Sequence, residues 1–429
     1  MSVTNDADDG DFGRHTLRYL FITNSWFPAQ RVDVAVLFGA KLPQRGHRVD
    51  GVFQAQPSHG AYESEWGGGK ALVAGRVATG EPLSRLKNVC LRYRTVARSL
   101  WSVPRSDYDF IQVRDGHVSA LMAFAVAALT RRPFVYWMSF PVAELWLHRS
   151  TTSRGVRSLL ARLLGIAGRA VLHRLLLPGA AHVFVQSDQM AADLAKRGIS
   201  PGKLTPVPMG VDPRSTRPAT VDKPAGERWI GYLGTVERVR RVDLIVEAFA
   251  QVLGCYPDTR LILAGGADRA AMEFLEKRIA QLGLEDEVLL TGQRPRAEAL
   301  GYMQACDVCL SPYAPLPLLQ STSPTKLVEY MFLAKPVVAS EHPEQREVVE
   351  ASGCGFCVKH EPAAFAEATI ALLENPRLCA EMGARGHAYV LRHRTYDKIA
   401  ADVDRSYRSF LSVRPVAPDA IGSPLDATP

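Results

Sequence analysis

The 429-residue chain has no apolar run long enough to cross a bilayer. Its longest helical apolar stretch, Ser119 to Thr130, falls well below the roughly 18–20 residues that spanning requires. The opening carries Asp6, Asp8, Asp9 and Asp11, the wrong sign for the start of a signal peptide, and the apolar run Leu17–Thr23 is short and strand-like. The expectation is a cytoplasmic protein, with peripheral contact at the inner face of a membrane left open. Cysteine is scarce: seven residues, an odd number, do not suggest a disulfide framework. Two CxxC pairs, Cys306/Cys309 and Cys354/Cys357, read either as four zinc ligands or as small hydrophobes at the starts of buried strands. The 44 residues between the pairs far exceed a zinc-ribbon loop and no knuckle glycine follows, so no metal is expected.

Acid is missing from two long segments. Pro82–Ser106 holds Arg85, Lys87, Arg92, Arg94, Arg98 and Arg105; Leu145–Ser187 holds Arg149, Arg154, Arg157, Arg162, Arg169 and Arg174. Residues 1–215 carry 27 Lys and Arg against 16 Asp and Glu, so this half is net +11 while the remainder is −4. A basic first half suits an anionic partner such as a phospholipid surface or a lipid-linked phosphate. No aromatic-basic platform accompanies the charge, which argues against nucleic acid. The core of the second segment, GVRSLLARLLGIAGRAVLHRLLL, interleaves arginine with leucine. It reads as an interfacial helix, or equally as a surface helix whose apolar face packs on its own domain.

What is present is an ordinary globular composition, 47% hydrophobic and 22% charged, enough for two or three domains. Hydrophobic runs of strand length alternate with helical patterns: LRYLFITNSW, a helix through Val34–Gln44 ended by Gly46, HRVDGVF, FIQVR, a helix Ser119–Leu129 and PFVYWMS. A long helical stretch from about Arg154 to Leu177, AHVFVQS, a helix Asp188–Arg197 and KLTPVPM follow. The polar stretch after Asp212 is a credible linker. The pattern then restarts with WIGYLGT, RLILAGG, VLLTG, DVCLSPY, PVVAS and FCVK, again separated by helices. This predicts an α/β fold of two Rossmann-like domains with parallel sheets covered on both faces. The expected divisions are a tail 1–16, a first domain 17–212, a linker 213–227, a second domain 228–390, a helix 391–412 and a tail 413–429.

In such sheets ligands bind beyond the carboxyl ends of the strands, and three strand ends of the second half carry suitable residues. Gly234 is followed by Glu237, Arg238, Arg240 and Arg241, whose guanidinium forks suit a diphosphate or simply a solvated basic loop. Ser323–Pro324–Thr325–Lys326 reads as a helix start with Ser323 at the N-cap, favourable to an anion, with Glu329 one and a half turns in. Ala264–Gly265–Gly266 makes a compact turn.

The segments GYLGTVERVRRVDLIVEAF, LILAGG, VLLTGQRP, ACDVCLSPY and SPTKLVEYMFLAKPVVAS, in this order, resemble the donor domain of retaining family 4 glycosyltransferases of the GT-B fold. HVFVQSDQMAADLAKRGISPGKLTPVPMGVD resembles the close of their first domain, and EMGARGHAYVLRHRTYDKIAADVDRSY their last helices, which cross back. The resemblance spans about Leu17 to Leu411. It implies transfer of a sugar from a UDP- or GDP-sugar to a glycan or lipid-linked acceptor, with retention, in the synthesis of cell-surface polysaccharide or glycolipid. It implies no metal and no cofactor, the nucleotide-sugar being a co-substrate. Carried over, Gly234, Arg238 and Gly266 would border the donor, and Arg240 and Lys326 would hold the diphosphate with Ser323 and Thr325. Thr291, Gly292, Gln293 and Arg294 would border the base, and Glu329 would hold the ribose. Arg114, Asp115, His117 and Ser139 are the candidates on the acceptor side.

Four positions depart from the family. Ser321 stands where a second Glu precedes the ribose-binding one by eight residues, and Thr235 replaces a common arginine. PAQRVD (28–33) replaces a Gly-Gly, and Ser139 stands where a histidine is often found. Two other readings therefore stay open: a catalytically weak GT-B subunit that binds nucleotide beside an active partner, and a nucleotide-sugar epimerase.

Overall fold

The computed structural model describes residues 16–78, 80, 83–152 and 154–412, with the Arg238 side chain also outside the described set. Thr16 apart, the two terminal tails lie outside these residues. The first domain is built on an eight-stranded sheet: β1 (Arg18–Phe27), β2 (Arg48–Ala55), β3 (Tyr62–Trp66), β4 (Gly68–Ala74), β5 (Phe110–Arg114), β6 (Phe134–Met138), β7 (His182–Val185) and β8 (Leu204–Pro206). Their spatial order is β3-β4-β2-β1-β5-β6-β7-β8. Every pairing is parallel except β3 with β4, a hairpin that turns on Gly67 and Gly68 (φ +63° and +72°) and that the apolar pattern alone did not reveal. The second domain holds β9 (Arg228–Leu233), β10 (Thr259–Ala264), β11 (Val288–Gly292), β12 (Val308–Ser311), β13 (Val337–Ser340) and β14 (Gly355–Val358), all parallel, in the order β11-β10-β9-β12-β13-β14. In each sheet the winding reverses beside the first strand, between β1 and β5 and between β9 and β12. Those reversals open crevices at the strands' carboxyl ends.

Sequence and structure differ in several elements. The helix expected over Val34–Gln44 is π-helical from Asp33 to Lys41 and α-helical only over Leu42–Gln44. The single helix expected from Arg154 is preceded by another, Val142–Thr152, and the two form a hairpin. Residues 213–227 contain no helix or strand but are not loose. The Ala219 amide donates to Ala297 O at 2.8 Å, and Lys223 meets Asp307 at 2.5 Å.

The chain crosses between domains twice, side by side. Helix Pro376–His393 packs on the second domain through Val390 and Gly383, so the return crossing falls at Arg394–Thr395 and not at 391. There Val211 N donates to Arg394 O and Tyr396 N to Val211 O, both at 2.9 Å. Lys41, only 3% exposed, bridges Asp212 (3.1 Å) and Asp397 (3.0 Å) beside this joint. Helix Tyr396–Ser412 then buries Tyr396, Ile399, Val403 and Tyr407 against the first sheet. No helix among the described residues is long and apolar enough to span a membrane.

Tyr407 packs on Tyr19, Phe110 and Phe184 and donates to Gln112 Oε1 at 2.7 Å. Its replacement, Tyr407→Ala, should cost about 3–5 kcal/mol. The expected result is a lower urea midpoint for unfolding followed by circular dichroism.

Candidate functional site

At the carboxyl end of β9, the helix Thr325–Phe332 holds the strand from below: Tyr330 Oη accepts the Leu233 amide at 2.7 Å. One turn earlier Lys326 is almost fully buried, 6% exposed. Its Nζ donates to Tyr232 Oη at 3.0 Å and lies over the Tyr232 and Tyr313 rings, 4.2 and 5.5 Å from their centroids. Among the described residues no carboxylate pairs with it. Burial, with the Arg240 cation close by, holds its ammonium well below the usual lysine range. Gly234, at φ +145°, is the residue that lets the chain pass: a Cβ there would stand 2.9 Å from Lys326 Nζ. Gly265 is equally constrained, since a Cβ on it would collide with the Gly234 carbonyl.

Around this point two hollows meet, both touching Gln30. One, about 490 Å³, lies on the second domain and is lined by Gly234, Thr235, Gly265, Gly266, Gln293, Arg294, Arg296 and Glu329. The other, about 290 Å³, lies between the domains against Arg31, Asp33, Ser139, Arg240, Tyr313, Ser323 and Thr325. Arg240 Nε is 3.2 Å from Glu237 Oε2 on the turn Arg238–Arg240. Arg241 is turned away to Asp243. Glu329, 4% exposed, meets Arg296 at 2.6 Å. Burial pushes its carboxyl up, against the pull of Arg296 and Lys326.

The structure thus gathers Gly234, Arg240, Lys326, Glu329, Gly266, Gln293, Arg294 and Thr325 about one cleft. Other expected residues have different tasks. Ser323 is not an N-cap: Pro324 occupies that position, and the Ser323 hydroxyl accepts the Met209 amide from the first domain (2.8 Å) while donating to Glu344 (2.6 Å). Thr291 and Gly292 lie behind the hollow, where the Thr291 carbonyl accepts from Arg294 Nε at 3.0 Å. Ser321, buried, accepts Ser187 Oγ on its carbonyl at 2.8 Å, a second bond between domains.

On the first domain, only Ser139 of the four acceptor-side candidates lines the cleft. Asp115, held at φ +56°, accepts the amides of Ser139 (2.8 Å) and Phe140 (3.3 Å) and so positions that loop. Arg114 is buried on Asp33 at 2.7 Å. His117 starts the next helix after Gly116 (φ +64°) and packs against Gly168 of Val156–Val171 instead of facing the cleft. Sequence reasoning missed Gln30, Arg31, Asp33, Tyr232, Arg296, Tyr313 and Glu344. Arg296 lies immediately after the recognised VLLTGQRP, and Gln30, Arg31 and Asp33 lie inside the segment that departs from the family. Burial alone would raise Asp33, but Arg114 and Arg31 beside it hold it at about 2.

The cysteine pairs behave as small hydrophobes. Cys306 Sγ donates to Tyr302 O at 3.1 Å, and burial pushes Cys309 up to about 12 and Cys354 to about 11. Among the described residues no three His, Cys, Asp or Glu side chains form a group that could hold a metal ion.

Residues 214–388 match the family described as Glycosyl transferases group 1, and residues 29–210 match a Glycosyl transferase 4-like domain. The chain belongs to the group 1 glycosyltransferases. A D-inositol 3-phosphate glycosyltransferase of Kineococcus radiotolerans is 27% identical over 244 residues, 51% of this chain and 55% of that protein. The chain thus aligns with little more than half the length of that relative. Sucrose-phosphate synthase of Thermosynechococcus elongatus has the same fold, with a TM-score of 0.72 at 20% identity over 93% of this chain and all of that one. Anabaena HepE, solved with UDP, superposes with a TM-score of 0.65 at 19% identity over 92% of this chain and all of its own. The two-domain GT-B architecture expected from sequence is therefore the observed one.

Glu344 links the site to the crossing, since Arg394 Nη1 lies 3.1 Å from its Oε1. Burial raises its carboxyl from 4.5 to about 7, against the opposing pull of Arg394 and Ser323. A raised folded-state value stabilises the fold fully below about pH 4.5, and that contribution is lost as pH climbs through about 7. In Glu344→Gln this component should vanish. The difference in melting temperature between wild type and variant should therefore fall steadily from pH 4.5 to 7.

Proposed function

We propose that the chain transfers a sugar from a UDP- or GDP-sugar to a glycan or lipid-linked acceptor, with retention of anomeric configuration. The observation that carries this reading is the buried Lys326, which among the described residues forms no ion pair with a carboxylate, beside Arg240 at the start of helix Thr325–Phe332. Two cations and free helix amides at one point are complementary to a diphosphate. The nucleoside would occupy the 490 Å³ hollow, with its ribose hydroxyls on Glu329 once the half-exposed Arg296 moves aside. The sugar and acceptor would meet in the hollow between the domains, against Ser139, Asp33 and Tyr313.

As the bond from the anomeric carbon to the diphosphate oxygen breaks, charge develops on that oxygen, where Arg240 and Lys326 stand preorganised. The carboxylates lining the two hollows are already ion-paired, Asp33 with Arg31 and Arg114, Glu329 with Arg296. The acceptor hydroxyl then forms its bond to the anomeric carbon while its proton passes to the departing diphosphate. This places the acceptor on the leaving group's face and gives retention. The similarity to a D-inositol 3-phosphate glycosyltransferase, and the UDP in HepE, support a nucleotide-sugar donor.

Calorimetric titration with UDP, GDP and ADP in chelator tests the reading. One nucleotide should bind selectively, and binding of none would refute it. Glu329→Ala should weaken that affinity by about 1.5–3 kcal/mol, tenfold or more. An incoming diphosphate favours the charged form of Lys326, so binding should weaken, with proton uptake, as pH rises through the range where burial makes the free protein's lysine lose its charge. Titrations in buffers of different ionisation enthalpy read this uptake, which Lys326→Met should abolish. Turnover with the matching sugar panel distinguishes an enzyme from a nucleotide-binding subunit, and donor consumption without acceptor would mark an epimerase.

A further inference from the structure

The helical hairpin Val142–Thr152 and Val156–Val171 leaves the first domain just after Phe140, a residue that lines the cleft. Its helices pack through small residues: Ala161 and Gly165 are buried, and a Cβ on Gly165 would stand 2.7 Å from Leu147 Cγ. With positions 161, 165 and 168 facing inward, helical periodicity turns the large apolar residues outward. Val156 is 82% exposed, Leu159 59%, Leu160 55%, Leu163 56%, Leu164 43% and Ile166 52%. Of the two sequence readings, an apolar face packed on the domain is therefore excluded. Exposed Arg154, Arg157 and Arg162 accompany the ridge, and no acid lies between Leu145 and Ser187. The carboxylate of Glu144 is engaged by Arg169.

We propose that helix Val156–Val171 lies in the interfacial layer of an anionic membrane, its leucine ridge among acyl chains and Arg157 and Arg162 on lipid phosphates. A contiguous apolar ridge of this size on a monomer marks an interaction surface. Its charge decides the occupant. A second copy would bring arginine against arginine, a like-charge juxtaposition that disfavours association, whereas acidic headgroups complement both ridge and flanks. Seated this way, the mouth of the cleft lies next to the headgroups, and a lipid-linked acceptor reaches Ser139 without leaving the bilayer. Membrane binding does not depend on the glycosyl-transfer reading; only this delivery does.

The test is co-sedimentation of the full chain, without nucleotide, with phosphatidylcholine vesicles made with or without phosphatidylglycerol. The chain should sediment with the anionic vesicles at low salt and less at high salt. Leu159→Ser with Leu163→Ser should lower partitioning at least about tenfold, and Arg157→Gln with Arg162→Gln should remove the preference for anionic lipid. Because these side chains face solvent, melting temperature and affinity for the nucleotide that titration selects should stay unchanged, and the latter reports the donor site separately. Absence of binding to anionic vesicles, or equal partitioning of the serine variant, would overturn the proposal. So would a dimer in sedimentation velocity that the serine variant disperses while vesicles remain unbound.

Discussion

A lysine buried with no directly ion-paired carboxylate among the described residues is the constraint on which the second domain's side of the cleft turns. Removing an ammonium from water costs several kcal/mol unless it is compensated. Here the compensation comes from the Tyr232 hydroxyl and the faces of two tyrosines. The neighbouring structure keeps that cation in place: Tyr330 holds the end of β9, Gly234 leaves room for the ammonium, and Gly265 lets the next strand end close over Gly234. In the proposed function an incoming diphosphate would supply the charge this arrangement lacks, and binding and stabilisation of the leaving group would be the same interaction.

The loop that approaches this point also joins the domains. Ser323 and Ser321 each bond to the first domain, and Ser323 reaches Arg394 at the return crossing through Glu344. The cleft therefore lies at the seam of the two domains, which the double crossing at Val211 and Thr395 joins by backbone hydrogen bonds. Lys41, buried between two aspartates from either side of that crossing, ties the first helix to the same joint.

The order of strands and helices was legible because alternating buried strands and amphipathic helices leave a strong periodic signal. The places of Gly234 at a strand end and of Lys326 and Glu329 on a helix beside the same cleft were legible too, since glycine and helix-start residues mark such junctions. The β3–β4 hairpin was not, because its solvent-facing edge carries little apolar pattern. Side-chain direction was the other blind spot. Ser323 lines the cleft yet also bonds across to the first domain, and the His117 ring packs against Gly168. Arg296 and Asp33 were invisible because their partners, Glu329 and Arg114, lie 33 and 81 residues away.

A crystal structure of the chain with whichever of UDP and GDP it binds selectively, grown in the presence of chelator, examines the cation pair most directly. The expected result places β-phosphate oxygens within hydrogen-bond distance of Arg240 and Lys326, with both ribose hydroxyls on Glu329 and Arg296 displaced. A nucleotide bound elsewhere, with Lys326 still held only by Tyr232 and the Glu329–Arg296 pair intact, would contradict it.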